Sequence, residues 1–319
     1  MEKQQFINTG NKDTRSGFGA GLSVIGDENP NVVAMCADLT GSLKMDAFAK
    51  AHPDRFYQAG IAEANMIGVG AGMALSGKIP FVGSFAAFAT GRVYDQIRQS
   101  VAYSNTNVKI AASHAGITLG EDGATHQILE DLGLMRMLPN MVVINPCDYN
   151  QTKAATIAAA KHVGPVYLRF GRPGVPNFTP EDQTFEIGKA LKLIEGTDVT
   201  IFATGHLVWE AIQAAETLAA EGINAEVINI HTIKPLDVNA VLESVAKTKA
   251  VVVAEEHFIA GGLGELIAGT LAANTPAPLE HVAINDKFGQ SGTPAQLMKA
   301  YGLDAENIVK AAKKAIARK

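Results

Sequence analysis

The chain has 319 residues, 47% of them hydrophobic and only 18% charged, below the usual ~25%. Its 27 basic and 32 acidic side chains give a net charge of −5, which excludes a broadly basic nucleic-acid binder and an acidic disordered tail. The length predicts about two domains, and 31 glycines point to close backbone contacts and to surface not meant to stay in water.

The opening MEKQQFINTG is polar and lacks the apolar core of a signal peptide, so a cytoplasmic location is expected. Strands are predicted at Val32–Asp38, Pro80–Phe85, Val108–Ser113, Met141–Asn145 and Val166–Phe170. Helices are predicted between them, at Ala62–Leu75, Val93–Ser104, His126–Met135 and Tyr149–Lys161. The strands are apolar on both faces, the pattern of a parallel sheet covered by helices. Lys78, Pro80 and several glycines break the most apolar stretch, 65–90, into helix, turn and strand, so it does not read as a membrane span. Cys36 and Cys147 sit in apolar runs and read as small core residues.

Periodicity stops over Pro173–Gly188, which reads as a linker. It then resumes with strands at Val199–Ala203, Ala225–Ile230, Val251–Glu255 and Val282–Asn285. Helices are predicted at His206–Glu221, closed by Gly222, at Leu236–Lys247, at Leu263–Ala273 and through the C-terminus. The expected fold is α/β: two doubly wound, mostly parallel-sheet domains, 1–172 and 189–319.

Ligands in open α/β sheets bind at the carboxyl ends of strands. The polar residues there are Asp38, Thr40 and Ser42 in CADLTGS, Glu63 after FYQAGI, Ser113 and His114 after VKIAA, and Arg172 after VYLRF. Asp38 and Ser42 could serve as helix caps, and Glu63 could simply favour a helix dipole. The loop HAGITLGEDGATHQ is harder to assign to structure alone. It holds His114, Asp122, Thr125 and His126 among glycines, a density of titratable groups typical of sites. No spacing of metal ligands, nucleophile elbow or phosphate loop occurs, and GVGAGM within the helical run suits close helix packing.

The segments AHPDRFYQAGIAEANM, PFVGSFAAFATGRVYDQIR, SHAGITLGEDGATHQILEDL, HTIKPLD and AEEHFIAGGLGE together resemble transketolase, in order and over essentially the whole chain. The resemblance is to the pyrimidine-binding and C-terminal domains. The family's GDG motif for Mg²⁺ (or Ca²⁺) and thiamine diphosphate is absent from this sequence. It therefore implies the C-terminal subunit of a split transketolase. The diphosphate-binding domain would lie on a separate chain, and this chain would form a homodimer within an α2β2 heterotetramer.

By this resemblance Glu63 bonds the aminopyrimidine of thiamine diphosphate. Phe85 and Phe88 wall the ring, a third aromatic found in some relatives falling near Gly91, and Asp38 lies near the thiazolium. His114 and His126 bond sugar hydroxyls or pass protons, and Asp122 meets the acceptor's C2 hydroxyl. Arg15, Ser42 and Arg172 take a terminal phosphate, which favours sugar phosphates as substrates. No catalytic residue is implied in the C-terminal domain. Competing readings are the beta subunit of a 2-oxo acid dehydrogenase, a 1-deoxyxylulose-5-phosphate synthase-like enzyme, and a non-catalytic scaffold of this fold. The histidine-rich loop and HTIKPLD favour transketolase.

Overall fold

The computed structural model describes residues 6–319. It builds two parallel-stranded layers with helices on their faces, and a two-stranded clip. The first sheet has seven strands in the order Thr232–Lys234, Val142–Ile144, Val166–Arg169, Lys109–Ser113, Ile79–Phe85, Val32–Cys36, Phe56–Gln58. All its pairings are parallel except that of Thr232–Lys234 with Val142–Ile144. The second has five strands in the order Leu279–Ile284, Val251–Phe258, Val199–Ala203, Ala225–Asn229, Leu191–Ile194, and only the last pairing is antiparallel. Every residue of Val32–Cys36, Lys109–Ser113 and Val199–Ala203 is buried, as helices on both faces require.

The helix Thr14–Glu28 has no counterpart in the sequence reading. Its glycines weaken the helical signal. They are there because other backbones come close: a Cβ on Gly17 would meet the Tyr149 carbonyl oxygen at 2.3 Å, and one on Gly19 would meet that of Lys44 at 2.3 Å. The helix starts with Asp13 as cap, its Oδ1 accepting from the Ser16 N–H at 2.9 Å. Tyr149–Lys161, the helix it packs on, coincides with the expected span.

Four expectations need correction. The helix expected at His126–Met135 forms only as Asp131–Arg136, because 120–127 folds as successive turns and Gln127 is drawn into the loop as a clip. The helix expected at Val93–Ser104 is one α turn, Tyr94–Gln96, passing into a π-helix, Ile97–Tyr103. The 173–188 segment is not a free linker. Its Gly174–Pro176 pairs with Asn11–Asp13, and the Asp148 carboxylate accepts from the Phe178 and Thr179 N–H groups at 2.9 and 2.7 Å. Finally, Thr232–Lys234, expected in the second domain, forms the edge of the first sheet, because Ile233 buries completely in the shared core.

That core is continuous. Buried Met35, Val82, Ile110 and Tyr167 of the first sheet join Phe202, Ile228, Val253 and Leu263 of the second layer in one apolar cluster. Polar contacts lock the junction. Arg169 lies between Asp131 (2.7 Å to Oδ2) and the Glu256 carbonyl (2.9 Å), and the Asn145 amide donates to Thr204 Oγ1 at 3.1 Å. Among the described residues no helix is long and apolar enough to cross a membrane.

Candidate active site

The carboxyl ends of four neighbouring parallel strands open on one side of the first sheet. After Ile79–Phe85 the chain turns at Phe85 into the short helix Ala86–Ala89, so Phe85 and Phe88 lie on one side of a turn with ring centroids 6.1 Å apart and planes 24° apart. After the adjacent strand Lys109–Ser113, His114 takes a left-handed backbone (φ +59°), a conformation uncommon outside glycine. This turns its imidazole onto Phe85 at 3.9 Å between centroids, while Nδ1 meets Ser113 Oγ at 2.8 Å. His126 closes the cluster, its ring edge-on to Phe88 at 5.3 Å and its Nδ1 3.0 Å from Thr125 Oγ1.

Glu63 opens the helix Glu63–Leu75 and is buried although its side chain is a carboxyl. Arg92 Nη1 donates to its Oε1 at 3.2 Å, and the guanidinium lies over the Phe88 ring, 3.9 Å from the centroid. A desolvated carboxylate beside a flat aromatic wall suits a planar nitrogen heterocycle: the wall supplies stacking and the carboxyl a hydrogen-bond partner for a ring nitrogen. The aminopyrimidine of thiamine diphosphate fits this description. Gly91 lies near the Ile128 side chain, so no third ring stands at that place.

Asp38 is exposed beyond Val32–Cys36, again with a left-handed backbone (φ +59°). It caps no helix: Asp46–Ala51 begins at Met45 without a side-chain cap. Gln58 holds Asp38 in place, its Oε1 accepting from the Asp38 N–H at 2.9 Å and its Nε2 donating to Thr40 Oγ1 at 2.7 Å. Arg15 reaches the Ser42 carbonyl at 3.1 Å, and its Nε meets Asp13 at 3.2 Å. Arg172 donates to the Leu119 carbonyl at 2.8 Å and to Glu121 at 2.9 Å. Glu121's own backbone N–H, together with Arg172, holds its carboxyl below the usual range. Both candidate phosphate-binding arginines are thus already paired to carboxylates, Arg172 at the surface, where such pairs are weak, and Arg15 in a half-buried pair with Asp13.

Burial lowers the pKa of His114 to about 3, and the charges of Arg15 and Arg172 add to the effect. The ring is therefore neutral near pH 7, offering one donor and one acceptor rather than a cation. Arg15, His114 and Arg172 thus share one electrostatic neighbourhood. Asp122 and Thr125 are exposed on the rim of the same loop.

The loop is held from behind by the second layer. Glu256 Oε1 accepts from the Thr118 N–H at 2.6 Å, and a Cβ on Gly116 would collide with the Glu256 carboxyl at 2.3 Å. Gln127 Nε2 donates to the carbonyls of Ile117 and Gln290, both at 3.0 Å. Sequence reasoning missed Arg92, Gln58, Glu121 and Glu256. Arg92, four residues after Phe88, carried a weak signal, whereas the other three act through contacts with no local pattern.

The family model for the transketolase pyrimidine binding domain matches residues 11–177, and that for the transketolase C-terminal domain matches 188–308. The chain belongs to the transketolase family. A putative transketolase C-terminal section from Methanocaldococcus jannaschii is 48% identical over 94% of this chain and 95% of that protein. The 6-deoxy-6-sulfo-D-fructose transketolase subunit SqwH of Clostridium sp. (strain MSTE9) is 47% identical over 92% and 91%. A solved structure described as a split gene transketolase, inactive beta4 tetramer, superposes with a TM-score of 0.91 at 48% identity, covering 96% of this chain and 99% of that one. The transketolase fold thus extends over both layers, and the two relatives named above, matched over more than nine tenths of both lengths, are described as a C-terminal section and a subunit.

Proposed function

We propose that this chain is the C-terminal subunit of a split transketolase that moves a two-carbon ketol unit from a ketose phosphate to an aldose phosphate. A separate chain would supply the diphosphate-binding domain and its Mg²⁺. The observation that carries the reading is buried Glu63 beside the Phe85–Phe88–His114 stack at the strand ends. Bound there, thiamine diphosphate would supply a nucleophilic carbon and an electron sink for the two-carbon fragment.

The protein's residues do the rest. Glu63 would exchange a proton with the ring nitrogen of the aminopyrimidine, and Phe85 and Phe88 would fix the ring's plane. Asp38 would face the thiazolium side. Neutral His114 would hydrogen-bond a sugar oxygen without adding charge. His126 and exposed Asp122 would meet further hydroxyls, Asp122 that on C2 of the acceptor. Arg15, Ser42 and Arg172 would bind the terminal phosphate, whose two charges outcompete the carboxylates now paired to the arginines.

The similar tetramer's description as inactive supports dependence on a second chain, and its four beta chains support self-association. An α2β2 assembly is the arrangement we favour. The named sulfosugar activity of one relative leaves the donor sugar of this protein to experiment. The test is ketol transfer from xylulose 5-phosphate to ribose 5-phosphate, with thiamine diphosphate and Mg²⁺. Turnover is expected only when the GDG-bearing chain is added. Robust turnover by this chain alone, or none from the pair with any ketose phosphate, would refute the proposal.

A further inference from the structure

Arg92 touches both surfaces that a bound aminopyrimidine would need. Its Nη1 is 3.2 Å from the Glu63 carboxylate, and its guanidinium carbon is 3.9 Å from the centre of the Phe88 ring. Guanidinium is flat, stacks on aromatic faces and donates N–H groups to carboxylates. It therefore occupies both surfaces the pyrimidine would need, donating to the Glu63 carboxylate where the ring nitrogen would bond and stacking on Phe88 where the ring would lie. The two partners differ in exposure: the Glu63 side chain is 5% exposed and that of Arg92 49%. A buried carboxylate needs a counter-charge close by, whereas a half-exposed arginine can leave for water at little cost. The backbone around Arg92 is a single 3₁₀ turn, Gly91–Val93, whose first residue is an exposed glycine.

We propose that Arg92 is a positioning residue that holds Glu63 in the absence of cofactor and yields its place on the carboxylate and the Phe88 ring to the aminopyrimidine. The proposal rests on the reading that Glu63 takes that ring. While Arg92 is paired to Glu63, the guanidinium fills the place on the carboxylate that a ring nitrogen would take. Arg92 is thus a competitor of the cofactor as well as an aid to the empty site.

The test is calorimetric titration of thiamine diphosphate, with Mg²⁺, into the two-subunit complex. Arg92→Gln removes the competitor and is expected to lower Kd by about threefold, the equilibrium value of a half-exposed ion pair. Arg92→Lys keeps the charge but loses the flat fork, so a smaller gain is expected. In a Glu63→Gln background, Arg92→Gln should lower Kd by clearly less than in wild type, since only the stacking on Phe88 is left to displace, a coupling that a merely structural role does not predict. Unchanged or weaker binding in Arg92→Gln overturns the inference. If that variant does not fold, unchanged or weaker binding in Arg92→Lys does so instead. Failure of the wild-type complex to bind thiamine diphosphate overturns the transketolase reading, and this inference with it.

Discussion

Two groups of buried glutamates divide the molecule. In the second layer Glu255 and Glu226 are each tied into the structure by several bonds. Glu255 accepts from the Leu263 and Gly264 N–H groups at 2.7 and 2.8 Å, anchoring the start of Leu263–Ala273. Glu226 takes the Ser244 hydroxyl, Thr200 Oγ1 and the Lys247 ammonium. Glu63 in the first layer is as buried, but among the described residues its carboxylate takes a single hydrogen bond, from half-exposed Arg92. Both layers are mostly parallel sheets, and what separates these glutamates is how many bonds the fold gives each carboxylate. A buried acid with few internal partners is costly, and it remains available for chemistry.

The largest effects should come from exchanging those roles. Glu63→Gln keeps the shape and removes the titratable proton. Ketol transfer by the two-subunit complex is expected to fall about 100-fold or more, with the melting temperature within about 2 °C of wild type. Glu255→Gln should do the reverse. It weakens two charge-assisted bonds at a helix start, costing about 2 kcal/mol and lowering the melting temperature by roughly 4–8 °C, with the substrate KM unchanged. If Glu255→Gln abolished turnover in folded protein, or Glu63→Gln left turnover near normal, the division between the layers would fail.

Glu256 tests the border, since it lies in the second layer and holds the loop that carries His114, Asp122 and His126. Glu256→Gln replaces the charged acceptor of the Thr118 N–H with an amide oxygen. A stability loss of about 1 kcal/mol is expected from the weaker bond. The looser loop should also raise KM for the acceptor sugar phosphate by about threefold with little change in kcat, an effect on ground-state binding. Steady-state kinetics as a function of acceptor concentration separates the two parameters, and an unchanged KM would show that the loop is rigid without Glu256.

The legibility of these features in sequence followed the range of the interactions. The largely apolar runs VVAMC, KIAAS and VTIFA point to a buried parallel sheet on their own, and Leu263–Ala273 and Tyr149–Lys161 coincide with their expected spans. Thr14–Glu28 was hidden because its glycines reflect neighbours far along the chain. Thr232–Lys234, within the range expected for the second domain and not foreseen as a strand, joins the first sheet because three residues carry no information about their partner. Glu63, Phe85, Phe88, His114 and His126 were singled out through long motifs, and the structure brings the rings of Phe85, Phe88, His114 and His126 into contact by turn geometry. The ion pairs that occupy Glu63, Arg15 and Arg172 could not be read, since side-chain partners 2 to 51 residues apart obey no period.

The smallest effect concerns pH and isolates the cost of burying His114 in the open layer. Its folded pKa of about 3 lies below the ordinary value of 6.5, so the unfolded chain binds the proton more readily. The sign follows directly. The stability associated with the neutral ring is fully present above pH 6.5 and is lost as pH falls from there toward about 3. Between pH 6.5 and ~5.5 the loss from this one ring is about 1 kcal/mol. His114→Asn removes the titration and retains a hydrogen-bonding side chain that tolerates the left-handed backbone. Denaturant melts at the two pH values should show the variant losing about 1 kcal/mol less than wild type over that interval. Equal losses would mean that water or movement of Arg15 and Arg172 lets the folded protein accommodate the imidazolium. The ring could then act as a proton donor near neutral pH, and the first layer would be less dry than its packing indicates.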